Sequence, residues 1–98
     1  MAKKIVWTKR ANARFNEVIG FLEEEWGEHA TRNFVQKVYA ITELLSKHPA
    51  LGSVEKRNEN IRGFVITKHN RLFYRETDDS LIILNLFDTR SGSAKKRY

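Results

Sequence analysis

The chain has 98 residues, no cysteine and one proline, with 18 Lys and Arg against 12 Asp and Glu for a formal charge of +6. That length suits one domain, residues 1–98, and a hydrophobic share of 41% argues against disorder. Without cysteine there is no disulfide framework, thiolate zinc site or cysteine nucleophile, and the positive balance calls for an anionic partner: nucleic acid, phosphate or an acidic protein.

Apolar runs such as Phe64-Val65-Ile66 and Leu81-Ile82-Ile83-Leu84 fall far short of the roughly 20 residues that span a bilayer. No apolar stretch of about 7–15 residues follows Met1-Ala2-Lys3-Lys4, so no signal peptide is expected. Absence of cysteine also accords with a reducing cytosol. The expectation is a cytoplasmic chain with no membrane partner.

In chain order, Lys3 to Trp7 reads as a short strand. Thr8 follows with a side-chain oxygen suited to cap a helix. Ala11, Phe15, Val18, Ile19, Leu22 and Trp26 recur at spacings of three and four, an apolar stripe on a helix of about five turns. Gly27 can take the left-handed conformation that ends it. A second helix carries Ala30, Phe34, Val38, Ile41 and Leu45 on its main stripe, widened by Val35, Tyr39 and Leu44. Pro49 disfavours helical geometry at His48 and stops it. Residues 8–48 are therefore expected to form a helical hairpin that needs a third surface to cover its stripes.

Leu51 to Asn60 is polar and reads as a surface loop. Ile61–Thr67, Arg71–Thr77 and Leu81–Phe87 then read as strands, with His69-Asn70 and Asp78-Asp79 as turns. Connections so short imply antiparallel pairing. The last strand is apolar on both faces and is expected in the middle of the sheet. The order is β-α-α-β-β-β: an α+β domain with an N-terminal strand and helical hairpin packed on a twisted antiparallel sheet over residues 61–90. Residues 91–98 form a basic tail.

Residues 1–46 carry net charge +1 and residues 47–98 net +5. A two-residue turn at Asp78-Asp79 pairs Thr77 with Ser80 and sets Arg75 opposite Ile82, Phe73 opposite Leu84 and Arg71 opposite Leu86. Two-residue steps then bring Asp88 and Arg90 onto the face of Arg71, with Lys68 and His69 at the same end of the sheet. This pairing predicts a cluster of Lys68, His69, Arg71 and Arg90. A slip of one residue would turn alternate members away. Arginine's planar fork matches phosphate oxygens and lysine adds a point charge. A solvated strand end with Arg–Asp pairs, Arg90 with Asp88 for example, would look the same in sequence.

Other candidates weigh less. His29, His48 and His69 are far apart with no i, i+4 pair, so no metal and no cofactor are expected. Glu23-Glu24-Glu25 points in three directions on a helix and reads as a solvated face. Phe15, Trp26 and Phe34 read as core. Tyr98 ends the chain and has no evident packing role.

Val6-Trp7-Thr8 leading into a helix, a hairpin leaving through Pro49 and Gly52, Ile61-Arg62-Gly63, Arg71-Leu72-Phe73-Tyr74-Arg75, and Leu81–Leu84 closing on Asp88-Thr89-Arg90 together resemble the RelE/ParE superfamily of type II toxin–antitoxin toxins. The resemblance covers nearly the whole chain and rests on the order of elements, the Tyr-Arg strand and the terminal Thr-Arg. It implies one of two activities. RelE-like members are metal-independent ribonucleases that cut messenger RNA on the ribosome: the 2′-hydroxyl attacks the neighbouring phosphate while basic side chains stabilise the developing charge. Under that pattern Arg71 and Arg90 match catalytic arginines, and Arg62 stands where one second-strand lysine is expected. Phe64 stands on the other, with Lys68 as its substitute. His69 and Tyr98 are candidates for proton transfer, although Tyr98 lies farther from Arg90 than in RelE. ParE-like members bind and poison DNA gyrase without a nuclease site. On that branch Arg62, Arg75, Arg90 and the tail residues Lys95, Lys96 and Arg97 are contacts. Either branch implies an acidic antitoxin encoded alongside. A degenerate, non-toxic interaction module of the same fold is the third reading.

Overall fold

The computed structural model describes residues 2–88. In order they form β1 (Lys4–Trp7), α1 (Lys9–Glu25), α2 (Gly27–Lys47), β2 (Ser53–Lys56), β3 (Ile61–Thr67), β4 (Asn70–Glu76) and β5 (Ser80–Asp88), with single 3₁₀ turns at Pro49–Leu51 and Arg57–Glu59. The α+β architecture is as expected from the sequence. Arg90, the tail residues Lys95, Lys96 and Arg97, and Tyr98 lie outside the described residues.

Thr8 does what its position promised. Its backbone is extended, and its Oγ1 accepts the amide hydrogen of Ala11 at 3.0 Å, capping α1. The Thr8 amide also donates to Ile83 O at 3.1 Å, so the cap is tied directly to β5. Ala11, Phe15 and Val18 are buried on α1, and Phe34, Val38 and Leu45 on α2. Phe15 joins the layers, with its ring centroid 5.2 Å from Trp7, 6.2 Å from Phe34 and 6.1 Å from Tyr39.

Trp26 departs from its expected place in the stripe. It is 67% exposed and forms the one-residue joint between the helices. The cause is local: α1 stops at Glu25, Gly27 takes φ +87°, and the reversal carries the indole off the α1 face.

The sheet has five strands in the order β1-β5-β4-β3-β2. Neighbours among β2 to β5 run antiparallel, while β1 joins β5 in parallel, with Lys4 to Trp7 beside Ser80 to Ile83. The N-terminal strand is thus part of the sheet, which is mixed. The stretch read as a polar loop, residues 51–60, contains the edge strand β2. Four residues at a sheet edge, three of them exposed, need no apolar run, so the polar composition hid the strand. Strand β5 is central, between β1 and β4, as its apolar character required.

The β4–β5 hairpin begins in the expected register. Thr77 N donates to Ser80 O at 2.9 Å and Arg75 opposes Ile82. Tyr74 then opposes Ile83 and Phe73 opposes Asn85, so Leu84 is an extra residue, a β-bulge. Beyond it Arg71 opposes Phe87, and Leu86 faces Leu72. The expected pairs of Phe73 with Leu84 and Arg71 with Leu86 are off by one, and Asp88 falls opposite Asn70, not on the face of Arg71. Leu72, Tyr74, Leu81, Ile83 and Leu86 pack against the helices in a single core.

Tyr74 fastens the exit of α2 to this core. Its fully buried hydroxyl donates to Pro49 O at 2.5 Å and accepts from Gly52 N at 3.0 Å. A Cβ on Gly52 would run into the ring edge of Tyr74, with Cε1 at 2.8 Å. Burial raises the Tyr74 pKa above the ordinary phenol value, and the Gly52 hydrogen bond opposes that shift. The neutral hydroxyl is therefore the folded form.

Tyr74→Phe strands Gly52 N and Pro49 O and should cost about 1–3 kcal/mol in urea unfolding at neutral pH. The raised pKa contributes stability that is complete below about pH 10 and is lost as pH rises through the folded value. The stability gap between wild type and Tyr74→Phe should accordingly shrink above that pH.

Candidate functional site

The face of the sheet turned away from the helices carries Arg71 and Phe73 from β4. Arg71 lies with its guanidinium carbon 5.7 Å from the Phe73 ring centroid, within cation–π range. Its Nη2 donates to Ser53 Oγ at 2.8 Å and forms an ion pair with Glu55, both from β2. Ser53 Oγ in turn lies 3.2 Å from Glu55 Oε2. Gly63 provides the clearance. A Cβ there would stand 3.0 Å from Arg71 Nε and Nη2 and from Glu55 Oε2. The arginine matched to a phosphate-binding role is thus already engaged by a carboxylate of its own chain.

The two other sheet arginines are also engaged. Arg62 Nη1 donates to Gly52 O at 2.8 Å and Ala50 O at 3.3 Å, closing the 3₁₀ turn after α2. Arg75 Nε donates to Glu59 O at 3.0 Å, and its Nη2 is 3.7 Å from Glu59 Oε1. Lys3 clamps the β4–β5 turn by donating to Thr77 O and Asp78 O, with Glu76 at 3.3 Å.

Lys68 and His69 stand elsewhere. They belong to the β3–β4 turn and border a groove of about 580 Å³ between that turn and the helical hairpin. Leu22 from the last turn of α1, Trp26 from the joint between the helices, and Phe34 and Lys37 from α2 form the groove's other wall. Since Leu72 packs toward the helices, Arg71 beside it points to the opposite face. The predicted cluster of Lys68, His69 and Arg71 is therefore not assembled. Strand alternation sends Arg71 one way while the turn sends Lys68 and His69 the other. Phe64, at the position where the resemblance expects a second lysine, packs its ring against the core, and Lys68 follows β3 in the turn to β4. Arg90 and Tyr98, the remaining members of the candidate catalytic set, fall outside the described residues.

Two groups of residues escaped the sequence reading. Ser53 and Glu55 were unreadable because nothing in a polar stretch announced a strand. The groove wall was legible in part, since Trp26, Ala30, Phe34 and Lys37 recur at helical spacing along one side of the hairpin.

The Arg71–Glu55 pair is mostly shielded, with side-chain exposures of 27% and 19%. Glu55→Gln removes the charge while keeping the shape. Unfolding in urea should show a loss of about 1–2 kcal/mol at low salt that narrows at high salt. An unchanged midpoint at both ionic strengths would show that the pair contributes nothing.

Comparison with known proteins follows the same outline. Solved structures of similar fold include the chromosomal ParDE toxin–antitoxin system of P. aeruginosa (TM-score 0.73, 15% identity, covering 89% of this chain and 96% of the other). Similar too are a YoeB/ParE toxin from Agrobacterium tumefaciens (TM-score 0.63, 16% identity, 87% and 96%) and the YoeB dimer from Staphylococcus aureus (TM-score 0.62, 14% identity, 89% and 97%). At such identities these likenesses speak for the fold alone. No curated protein matches the sequence at a significant level. Residues 5–92, however, match the family described as ParE toxin of type II toxin-antitoxin system, parDE. From the first strand through the last, then, this chain belongs to the ParE family of type II toxin–antitoxin toxins.

Proposed function

We propose that this toxin arrests growth by binding DNA gyrase and that it does not cut RNA. The observation that carries the reading is the engagement of Arg71 by Glu55 and Ser53, with Lys68 and His69 on the other side of the sheet. Ribonucleolytic chemistry needs several basic groups converging within hydrogen-bonding reach of one phosphate. Here the described members of that set are separated, and Arg71 is partly neutralised. A binding toxin needs only a shaped, charged surface, and the sheet with its basic second half supplies one.

As a member of the ParE family the chain has an antitoxin as its partner. An acidic antitoxin complements a chain of charge +6. Among the described residues no helix is long and apolar enough to cross a membrane.

The test combines purified gyrase with brief induction of the chain in cells without antitoxin. Gyrase supercoiling by purified enzyme should fall with added toxin and an SOS response should follow in cells. Primer extension on translated messages should show no new cuts inside codons. Such cuts would replace the proposal with the ribosome-dependent ribonuclease, and unhindered growth would favour the non-toxic module. Arg71→Gln, checked for folding by circular dichroism, should retain arrest. A ribonuclease relying on this arginine should instead lose about a hundredfold or more in cutting rate.

A further inference from the structure

Strand β1 lies at one edge of the sheet with a single neighbour, β5. It has four residues and none is fully buried: Lys4 and Val6 are exposed, while Ile5 and Trp7 are half-buried against the core. What holds it is concentrated at its two ends. After the strand, Thr8 donates its amide to Ile83 O at 3.1 Å and its hydroxyl to Leu84 O at 3.3 Å. Before the strand stands Lys3. Its amide donates to Ser46 O at 2.9 Å, one of the carbonyls that the last turn of α2 leaves without a helical donor. Its ammonium meets three oxygens, Thr77 O at 2.6 Å, Asp78 O at 2.9 Å and Glu76 Oε2 at 3.3 Å. An ammonium has three hydrogens and can serve all of them. The Lys4 amide adds a bond to Asp79 O at 2.9 Å. Lys3 thereby ties the start of the chain to the end of α2 and to the β4–β5 turn, 74 and 75 positions on.

From this placement we infer that β1 is a releasable strap, with the Lys3 ammonium as its latch and Thr8 as its hinge. Removing the ammonium takes the donors from all three oxygens at once. The strap is then held by one short ladder and by two half-buried side chains, a weak hold for an edge strand. Residues 2–7 swing out while α1 stays in place, because Thr8 caps the helix through Ala11 N and is bonded to β5 independently of the strand. Opening bares the edge of β5 from Ser80 to Ile83. An uncovered edge presents unpaired backbone groups to the strands of other chains, and the closed strap keeps this one covered. The latch consists of hydrogen bonds to carbonyls plus one ion pair, so salt weakens only its Glu76 contact. The inference stands on the contacts of β1 and is independent of the cellular target of the toxin.

The experiment is amide hydrogen exchange on the full chain, followed residue by residue by NMR with and without low urea. In wild type the ladder amides between β1 and β5 should exchange together, faster than the buried Leu72 amide of β4 and with little dependence on urea, the mark of a local opening. Lys3→Gln should speed them about tenfold or more. Lys3→Arg keeps a charged donor and should stay within about threefold of wild type. Lys9→Gln removes the same charge from an exposed side chain beyond the hinge and should change nothing. Three results overturn the proposal. One is ladder amides with the rate and urea dependence of Leu72, which would place β1 in the global unfolding unit. Another is an unchanged rate in Lys3→Gln. The third is a rise confined to the Lys4 amide, which is fraying of the chain end and not release of a strap. Should Lys3→Gln not fold, Glu76→Gln carries the same test, with an expected rise of about threefold and the same three results against it.

Discussion

In strand β5 one residue, Leu84, has no partner across the ladder. Tyr74 opposes Ile83 and Phe73 opposes Asn85, and the strand between them carries one residue more than its neighbour. That bulge decides the side of the sheet on which the end of β5 lies. It sends Leu86 into the helical layer beside Leu72 and leaves Phe87 across from Arg71. Strand alternation has a period of two, so a single extra residue inverts every later side chain. The composition of the core and of the sheet's outer face near Arg71 both follow from it.

Charge in this protein is divided by the same sheet. On the outer face the arginines are held locally, Arg71 by Glu55 and Ser53 and Arg75 by Glu59; Arg62, opposite Tyr74 and so on the helical side, serves the carbonyls after α2. On the helical side, Lys37 and Lys68 border a groove with an apolar bed. The same formal charges therefore have different consequences. A paired guanidinium stabilises the fold and orients an edge strand, whereas the groove lysines border an apolar surface. Net charge alone does not separate these cases, because it contains no information about which carboxylates lie within about 4 Å of which cations.

Much of the fold was legible in the residues. The Thr8 cap, the buried stripes of Phe15 and Val18 on α1 and Phe34, Val38 and Leu45 on α2, the stop at Pro49 and the hairpin register around Asp78-Asp79 all rest on interactions within a few residues of chain, and each appears where expected, whereas Tyr39 and Leu44, expected to widen the α2 stripe, are exposed. Trp26 was misplaced because its helical spacing continued past the point where Gly27 reverses the backbone. Strand β2 was missed because an edge strand is held by hydrogen bonds to β3, which require no apolar side chain. For the candidate site the legible part was the residue types. Arg71, Arg62, Arg75, Lys68 and His69 were singled out by charge and chemistry, but their grouping depended on a register that the bulge changed.

By itself, then, the sequence determined both helices, four of the five strands, the α+β class and the family, since periodicity, capping and turn chemistry act over short distances and leave a mark in the local pattern. Only the tertiary structure decided which basic residues share a face, which are neutralised by Ser53 and Glu55 from an unrecognised strand, and that Lys68, Trp26 and Asn70 meet at one groove. Those outcomes depend on pairings between residues up to dozens of positions apart and on one unpaired residue in β5. No local pattern records either.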